Sequence, residues 1–255
     1  MCIRDRQIGF EKAGIARSGC ALICGESEPP RSVAETVSQI GANLHQIGRD
    51  FNARPLTQQW EYSDVDGALL LPVPAIPGTW AISNAAVALC ATRQLLGYRL
   101  AESDIGPVLQ GVRVAGRMQL VDYQNVSVLL DVAHNPDAAR LLSAYLVARP
   151  IKGRTTAVFS CMQDKDIDSI LYEIHSCIDR WCIAELDFPR AVETSRLKSA
   201  LAAVGADPVD VFATVTTAFD QAVAQSGDDD RVIVFGSFHV VGPVLSRLSH
   251  QQRQR

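Results

Sequence analysis

From residue 126 onward, short β-branched runs alternate with amphipathic segments, and this alternation constrains the fold more than any other feature of the chain. Residues 126–131, 155–160, 181–186, 209–213 and 231–237 are short and largely apolar, as strands buried on both faces should be. Between them, residues 137–147, 167–178, 194–204, 216–224 and 240–248 place Leu, Ile, Val and Ala at three- and four-residue spacing, with Asp, Ser or Thr near several starts to cap helices. Strict β-α alternation with nearly continuous apolar strands predicts a parallel sheet covered on both faces. The expected fold is therefore a doubly wound, Rossmann-like α/β domain.

The first 111 residues have a different texture. A strand is expected at 21–25, a helix at 32–40, a Pro-punctuated extended stretch at 70–78, and helices at 81–96 and 102–109. Gly111 and Gly116 mark the boundary, which gives domains of residues 1–111 and 112–255. The charged leader at residues 1–6 matches nothing expected ahead of Gly9-Phe10-Glu11-Lys12-Ala13-Gly14-Ile15 and leaves no room for a preceding strand. The amino-terminal piece is expected to be incomplete and the leader foreign to it.

Composition narrows the function classes. With 47% hydrophobic and 20% charged residues the chain reads as a soluble globular protein. A net charge of -4 with scattered Lys and Arg argues against a nucleic-acid partner. No apolar run approaches the roughly 18 to 20 residues of a membrane span, and no signal-peptide core is present, so no membrane contact and a cytoplasmic location are expected. Seven cysteines, mostly inside apolar segments, read as packing residues and not as a metal site or disulfides.

Four segments carry candidate chemistry. Asp131-Val132-Ala133-His134-Asn135-Pro136 lies where a buried strand gives way to a helix, the edge at which open α/β sheets bind ligands. There Asp131 could accept from a ribose hydroxyl and His134 could donate to a phosphoryl oxygen; alternatively Asp131 caps the helix that Pro136 begins. Arg117, after Gly116, could clamp phosphate oxygens or lie on the surface. In Asp164-Lys165-Asp166, Lys165 could neutralise phosphate while the acids hold it or cap the next helix. In Phe235-Gly236-Ser237-Phe238-His239, Gly236 permits close backbone approach and Ser237 could bind a ligand, with His239 a further candidate. All four loops follow strands of one sheet, and such convergence is what a nucleotide site requires.

In their order, Glu11-Lys12-Ala13-Gly14-Ile15, Asn84-Ala85-Ala86, Gly116-Arg117, Asp131 through Pro136, Asp164-Lys165-Asp166 and Gly236-Ser237-Phe238 resemble the folylpolyglutamate synthase/dihydrofolate synthase family of the Mur ligase superfamily. The resemblance covers nearly everything after residue 7, and Lys-Ala-Gly-Ile points to the folate branch. It implies that residues 1–111 are the carboxyl-terminal part of an ATP-binding Mur-ligase central domain, followed by the Rossmann-like carboxyl-terminal domain. It further implies that Lys12 is carbamylated and helps bind Mg2+, since a carbamate offers the oxygen donors a hard ion prefers. Asn84 matches an adenine contact, Arg117 and Asp131 match ATP-binding positions, and His134 matches a histidine near the reacting phosphate. Lys165 and Ser237 match loops around the catalytic cleft, Ser237 on the ATP-binding side.

The implied activity is ATP-dependent ligation of L-glutamate to dihydropteroate or to the glutamate tail of folates through an acyl phosphate. The implied partners are these small molecules alone, and a monomer is expected. Two departures stand out: no Gly-rich run ending in Gly-Lys-Ser or Gly-Lys-Thr occurs, so the chain by itself is expected to be inactive. Trp80 and Ala81 stand where the wider superfamily often has His and Asn, leaving adenine recognition to Asn84. The competing readings are another amide ligase of the superfamily and a nucleotide-binding module without chemistry.

Overall fold

The computed structural model describes residues 3–98 and 100–252 and divides the chain into the units Met1–Val112 and Arg113–Arg255. In the first, α1 (Ile3–Ala13) and α2 (Arg31–Ile40) pack together beside a parallel pair of strands, β1 (Ala21–Cys24) and β2 (Asn43–Gln46). Residues 3–6 of the expected leader are thus the start of the helix that carries Lys12, while Met1 and Cys2 lie outside the described residues.

An antiparallel meander of β3 (Phe51–Pro55), β4 (Gln59–Asp64) and β5 (Gly67–Pro72) follows, then α3 (Thr79–Leu96) and α4 (Glu102–Gly111). Period-two alternation on β4 turns Trp60 and Tyr62 to one face, where they pack with Phe51, Leu71, Ile82, Ala86 and Ile105. The stretch expected to be extended to residue 78 is strand only as far as Pro72. Neither the meander nor α1 was expected, because their apolar residues are few and interleaved with charges.

The second unit carries β6 (Gln119–Tyr123), β7 (Val126–Leu130), α5 (Pro136–Val147), β8 (Thr155–Phe159), α6 (Ile167–Ile174), β9 (Arg180–Ala184), α7 (Thr194–Ala203), β10 (Val209–Phe212), α8 (Val215–Ala224), β11 (Arg231–Phe235) and α9 (Phe238–Gln252). The six-stranded sheet has the order β10-β9-β8-β11-β7-β6. Five strands are parallel, as expected, but β6 pairs antiparallel with β7 and the sheet is mixed. A two-residue turn at Gln124 and Asn125, with φ of 55° and 65°, joins them; without a glycine it gives little sequence signal of a hairpin. The helix expected to reach residue 178 ends at Ile174 and passes into a 3-10 turn, His175–Cys177.

Every residue of β8 and β11 is buried, which is why these strands read as unbroken apolar runs. The layer of α8 and α9 covers Val128, Leu130, Val158, Val232 and Val234 with Phe219, Val240 and Val244. Helices α5, α6 and α7 pack side by side as the other layer. Strand β11 leads into the α8/α9 layer, whereas its neighbours β7 and β8 lead into the α5–α7 layer. The connections therefore part at the carboxyl end of β11, and such switch points open a crevice.

Asn135, not Asp131, caps α5: its side-chain oxygen accepts from Ala138 N at 2.8 Å, with Pro136 in the first turn. Asn135→Ala should cost about 1 kcal/mol, measured by urea unfolding. Asp166 caps α6 by accepting from Ser169 N and Ser169 Oγ. Among the described residues no helix is long and apolar enough to cross a membrane.

Candidate active site

The turn after β11 sets the geometry of the crevice. Gly236 has φ of 120°, and a Cβ there would stand 1.9 Å from the main-chain oxygen of Ser160. Only glycine lets the ends of β8 and β11 approach so closely. Beside this contact two buried hydroxyls, Ser160 Oγ and Ser237 Oγ, have no hydrogen-bond partner. Unpaired buried hydroxyls are costly in a packed core and are common where a ligand completes the set. Ser160 was not singled out from sequence, since a serine ending a strand is unremarkable until its neighbours are known.

On the other side of β11, Asp131 is 6% exposed. Its Oδ2 accepts from Met118 N and its Oδ1 from Ala133 N, both at 2.8 Å. Val132 N donates to Gly116 O at 2.9 Å, so the Gly116-Arg117 turn and the loop after β7 are one structure. The Arg117 guanidinium lies 5.9 Å from the Phe238 ring centroid, a cation-π contact that brings it toward the β11 turn. His134 Nδ1 lies 2.8 Å from Val132 O. A carbonyl can only accept, so Nδ1 carries the hydrogen, and Nε2 can donate to a phosphoryl oxygen only in the imidazolium form. Sequence expectation had these residues converging, and the second unit does bring Arg117, Asp131, His134 and Ser237 together around the ends of β7 and β11.

Lys165, after β8, pairs with Asp164 at 2.8 Å. The hydrogen bond from Lys165, followed by the fields of Lys165 and more distant Arg190, holds Asp164 below the usual carboxylate range. Arg190 and Phe188, in the loop after β9, were not foreseen. That loop is fastened by Gln163 N donating to Arg190 O at 2.9 Å and by an antiparallel bridge between Met162 and Ala191. Phe188 stacks on His239 with ring centroids 4.3 Å apart. Only the pairing of two distant loops reveals this wall, which no local pattern encodes.

Burial pushes the Asp131 carboxyl above its ordinary value, partly offset by the Met118 and Ala133 N-H groups and then by Arg117 and His134. A carboxyl raised in the folded state stabilises most below its unfolded pKa, and that contribution is lost as pH rises through the folded value. Relative to Asp131→Asn, the wild type should therefore gain unfolding free energy as pH falls from neutral toward about 4. Urea unfolding of both proteins across that range checks this, and a constant difference would contradict it. Cys161 and Cys182 are pushed up to about 12 and 11 by burial, which keeps them as inert packing thiols. Cys20, by contrast, is exposed.

In the first unit, Lys12 is exposed in the last turn of α1 and Asn84 is exposed on α3. Among the described residues no three His, Cys, Asp or Glu side chains gather as a metal site. Side chains alone therefore do not make a site for a hard cation among the described residues, and the donors fit one only if oxygens such as a Lys12 carbamate and nucleotide phosphates supplied the rest.

The family described as Mur ligase, glutamate ligase domain, matches residues 116–238, the span that contains this crevice. The dihydrofolate synthase/folylpolyglutamate synthase of Escherichia coli (strain K12) is 37% identical over 94% of the chain and 55% of its own length. Residues 116–238 are a Mur ligase domain, and the chain is similar to the folate branch along nearly its whole length. The counterpart from Haemophilus influenzae is 31% identical over 92% of the chain and 57% of its own length. The solved E. coli FolC in complex with DHPP and ADP has a TM-score of 0.83 at 35% identity, covering 97% of this chain and 57% of that one. A bifunctional folylpolyglutamate synthase/dihydrofolate synthase with Mn, AMPPNP and L-glutamate bound gives 0.83 at 33% identity, covering 96% of this chain and 57% of that one. This chain thus spans little more than half the length of the relatives it matches.

Proposed function

We propose that this chain serves ATP-dependent ligation of L-glutamate to dihydropteroate or to the glutamate tail of folates. What supports the reading is the sheet edge at the ends of β7 and β11, which carries His134 and the unpaired Ser237 hydroxyl, with Arg117 over the Phe238 ring, within the span matched by the glutamate ligase domain. The relatives solved with ADP, or with AMPPNP and L-glutamate, support it.

The acceptor carboxylate takes the γ-phosphoryl group of ATP and ADP leaves. The amine of glutamate then attacks the acyl phosphate, an amide C-N bond forms, and phosphate departs as the amine loses a proton. Arg117 clamps phosphate oxygens, Ser237 donates from its free hydroxyl, and His134 stands near the reacting phosphate. Lys165 adds positive charge beside the transferring group, Asp131 serves the nucleotide, and Asn84 serves its adenine. Lys12, as a carbamate, would help hold a magnesium ion, which when bound neutralises charge on the phosphate oxygens. The protein acts on small molecules as a cytoplasmic monomer.

A chimaera in which this chain replaces the matched segment of the E. coli enzyme tests the proposal. It should incorporate glutamate on dihydropteroate or tetrahydrofolate with ATP, and Arg117→Ala or Ser237→Ala should lower the rate about a hundredfold. A folded chimaera without this activity, one that prefers a UDP-muramyl acceptor, or one indifferent to both substitutions would contradict it.

A further inference from the structure

In the first unit, where the meander meets α3 and α4, lies a cluster of polar side chains that no step of the proposed reaction uses. Tyr62 is 2% exposed, and its hydroxyl has no hydrogen-bond partner among the described residues. Two positions along β4, and so on the same face, the Asp64 side chain is 1% exposed. Its Oδ1 accepts from Asp66 N at 2.9 Å, while Oδ2 lies 2.9 Å from Arg93 Nη1 without the alignment of a hydrogen bond. Arg93, on α3, reaches Asp66 with its other nitrogen, Nη2. Tyr62, Asp64 and Arg93 together line a cavity of about 10 Å³, whose remaining walls are four aliphatic side chains, Leu69 and Ile105 among them.

Neither oxygen is placed to swing toward a partner of its own. The Tyr62 ring packs against Phe51 and Trp60, with centroids 6.4 and 6.5 Å away, and a phenol hydroxyl turns only about its C-O bond. The carboxylate is held by Asp66 N on one oxygen and by the Arg93 charge beside the other. Burial, and then the Asp64 carboxylate, push the Tyr62 phenol up, so it keeps a hydrogen to donate.

We propose that this cavity is a binding site for one ordered water molecule, which accepts from Tyr62 Oη and Arg93 Nη1 and donates to Asp64 Oδ2, so joining β4 to α3. A buried water needs roughly 10–15 Å³ and two to four polar partners, and the cavity offers that room and three such groups. Its size leaves no space for a hydrated cation or an organic ligand. Left dry, the site would bury a neutral phenol and a carboxylate oxygen without hydrogen bonds, a larger penalty than immobilising a single water. The site is independent of the nucleotide reading, since it lies wholly within the first unit.

A crystal structure of this chain, alone or within the chimaera, at a resolution that shows ordered water tests the site directly. Density for one water should stand within about 3.2 Å of Tyr62 Oη, Asp64 Oδ2 and Arg93 Nη1. A cavity without density, or a Tyr62 hydroxyl bonded straight to Asp64, would overturn the proposal. Urea unfolding supplies a second reading whose sign separates a wet site from a dry one. Removing a bridged hydroxyl in Tyr62→Phe should lower the folding equilibrium constant about fivefold, whereas removing a dry, unpaired one leaves it unchanged or raises it. The latter result would also overturn the proposal. In solution, oxygen-17 relaxation dispersion of water counts long-lived internal molecules. Leu89→Phe, which enlarges a side chain lining the cavity, should show one fewer than the wild type, and an equal count would contradict the site.

Discussion

Gly236→Ala should lower the unfolding free energy of the protein by about 3–5 kcal/mol, with a urea midpoint shift to match. Two costs add. The backbone at φ 120° is one that alanine avoids, and the new methyl would sit 1.9 Å from the main-chain oxygen of Ser160, with Phe159 Cε2 at 3.0 Å. A flexible side chain could yield, but Ser160 O belongs to the central part of the sheet and cannot move without parting β8 from β11. Gly97 provides the control: its φ is 74° but nothing stands within 4 Å of its virtual Cβ, so Gly97→Ala should show the conformational cost alone, about 1 kcal/mol. Equal effects at the two positions would mean that the β8-β11 contact is not as close as described.

Trp181→Ala should be comparably damaging, about 3–5 kcal/mol, while Trp181→Phe should cost less than about 1.5 kcal/mol. The indole is 1% exposed, meets Phe159 edge-on at 5.9 Å between centroids and lies 6.1 Å from Phe235. Truncation leaves a cavity in the layer under α5–α7, whereas phenylalanine retains most of the ring contact. It also removes an indole N-H that is buried without a partner, so part of the lost packing is offset. Chemical unfolding of both variants decides the matter, and a Trp181→Phe loss as large as that of Trp181→Ala would contradict this account of the core.

Both substitutions probe the part of the molecule that was most legible beforehand. Strands such as Arg231–Phe235 are buried on both faces, so they appear in the sequence as unbroken apolar runs, and the helices between them keep their three- and four-residue spacing. The meander of the first unit is less legible because only Phe51, Trp60, Tyr62 and Leu71 are fully buried from its strands of five or six residues, with Ala53 and Leu69 partly buried beside them. Strand β6 escapes notice for a similar reason: Leu120 is exposed, and its hairpin turn lacks glycine. At the site, the loops after β7, β8 and β11 could be named because Asp, His, Lys and Ser there interrupt apolar runs. Their partners could not. The Asp131 clasp on Met118, the orphan hydroxyl of Ser160 and the Phe188-His239 stack each depend on residues that only the folded sheet brings together.

The central claim is that the carboxyl ends of β7, β8 and β11 receive the phosphates of a nucleotide. Amide chemical-shift mapping of the isotopically labelled chimaera, in which this chain replaces the matched segment of the E. coli enzyme, during addition of Mg-ADP addresses it most directly. The largest changes are expected at residues 116–118, 131–135, 160–165 and 236–239. Changes confined to the opposite edge of the sheet, around residues 153–155 and 229–231, or a spectrum that ADP leaves untouched, would contradict it.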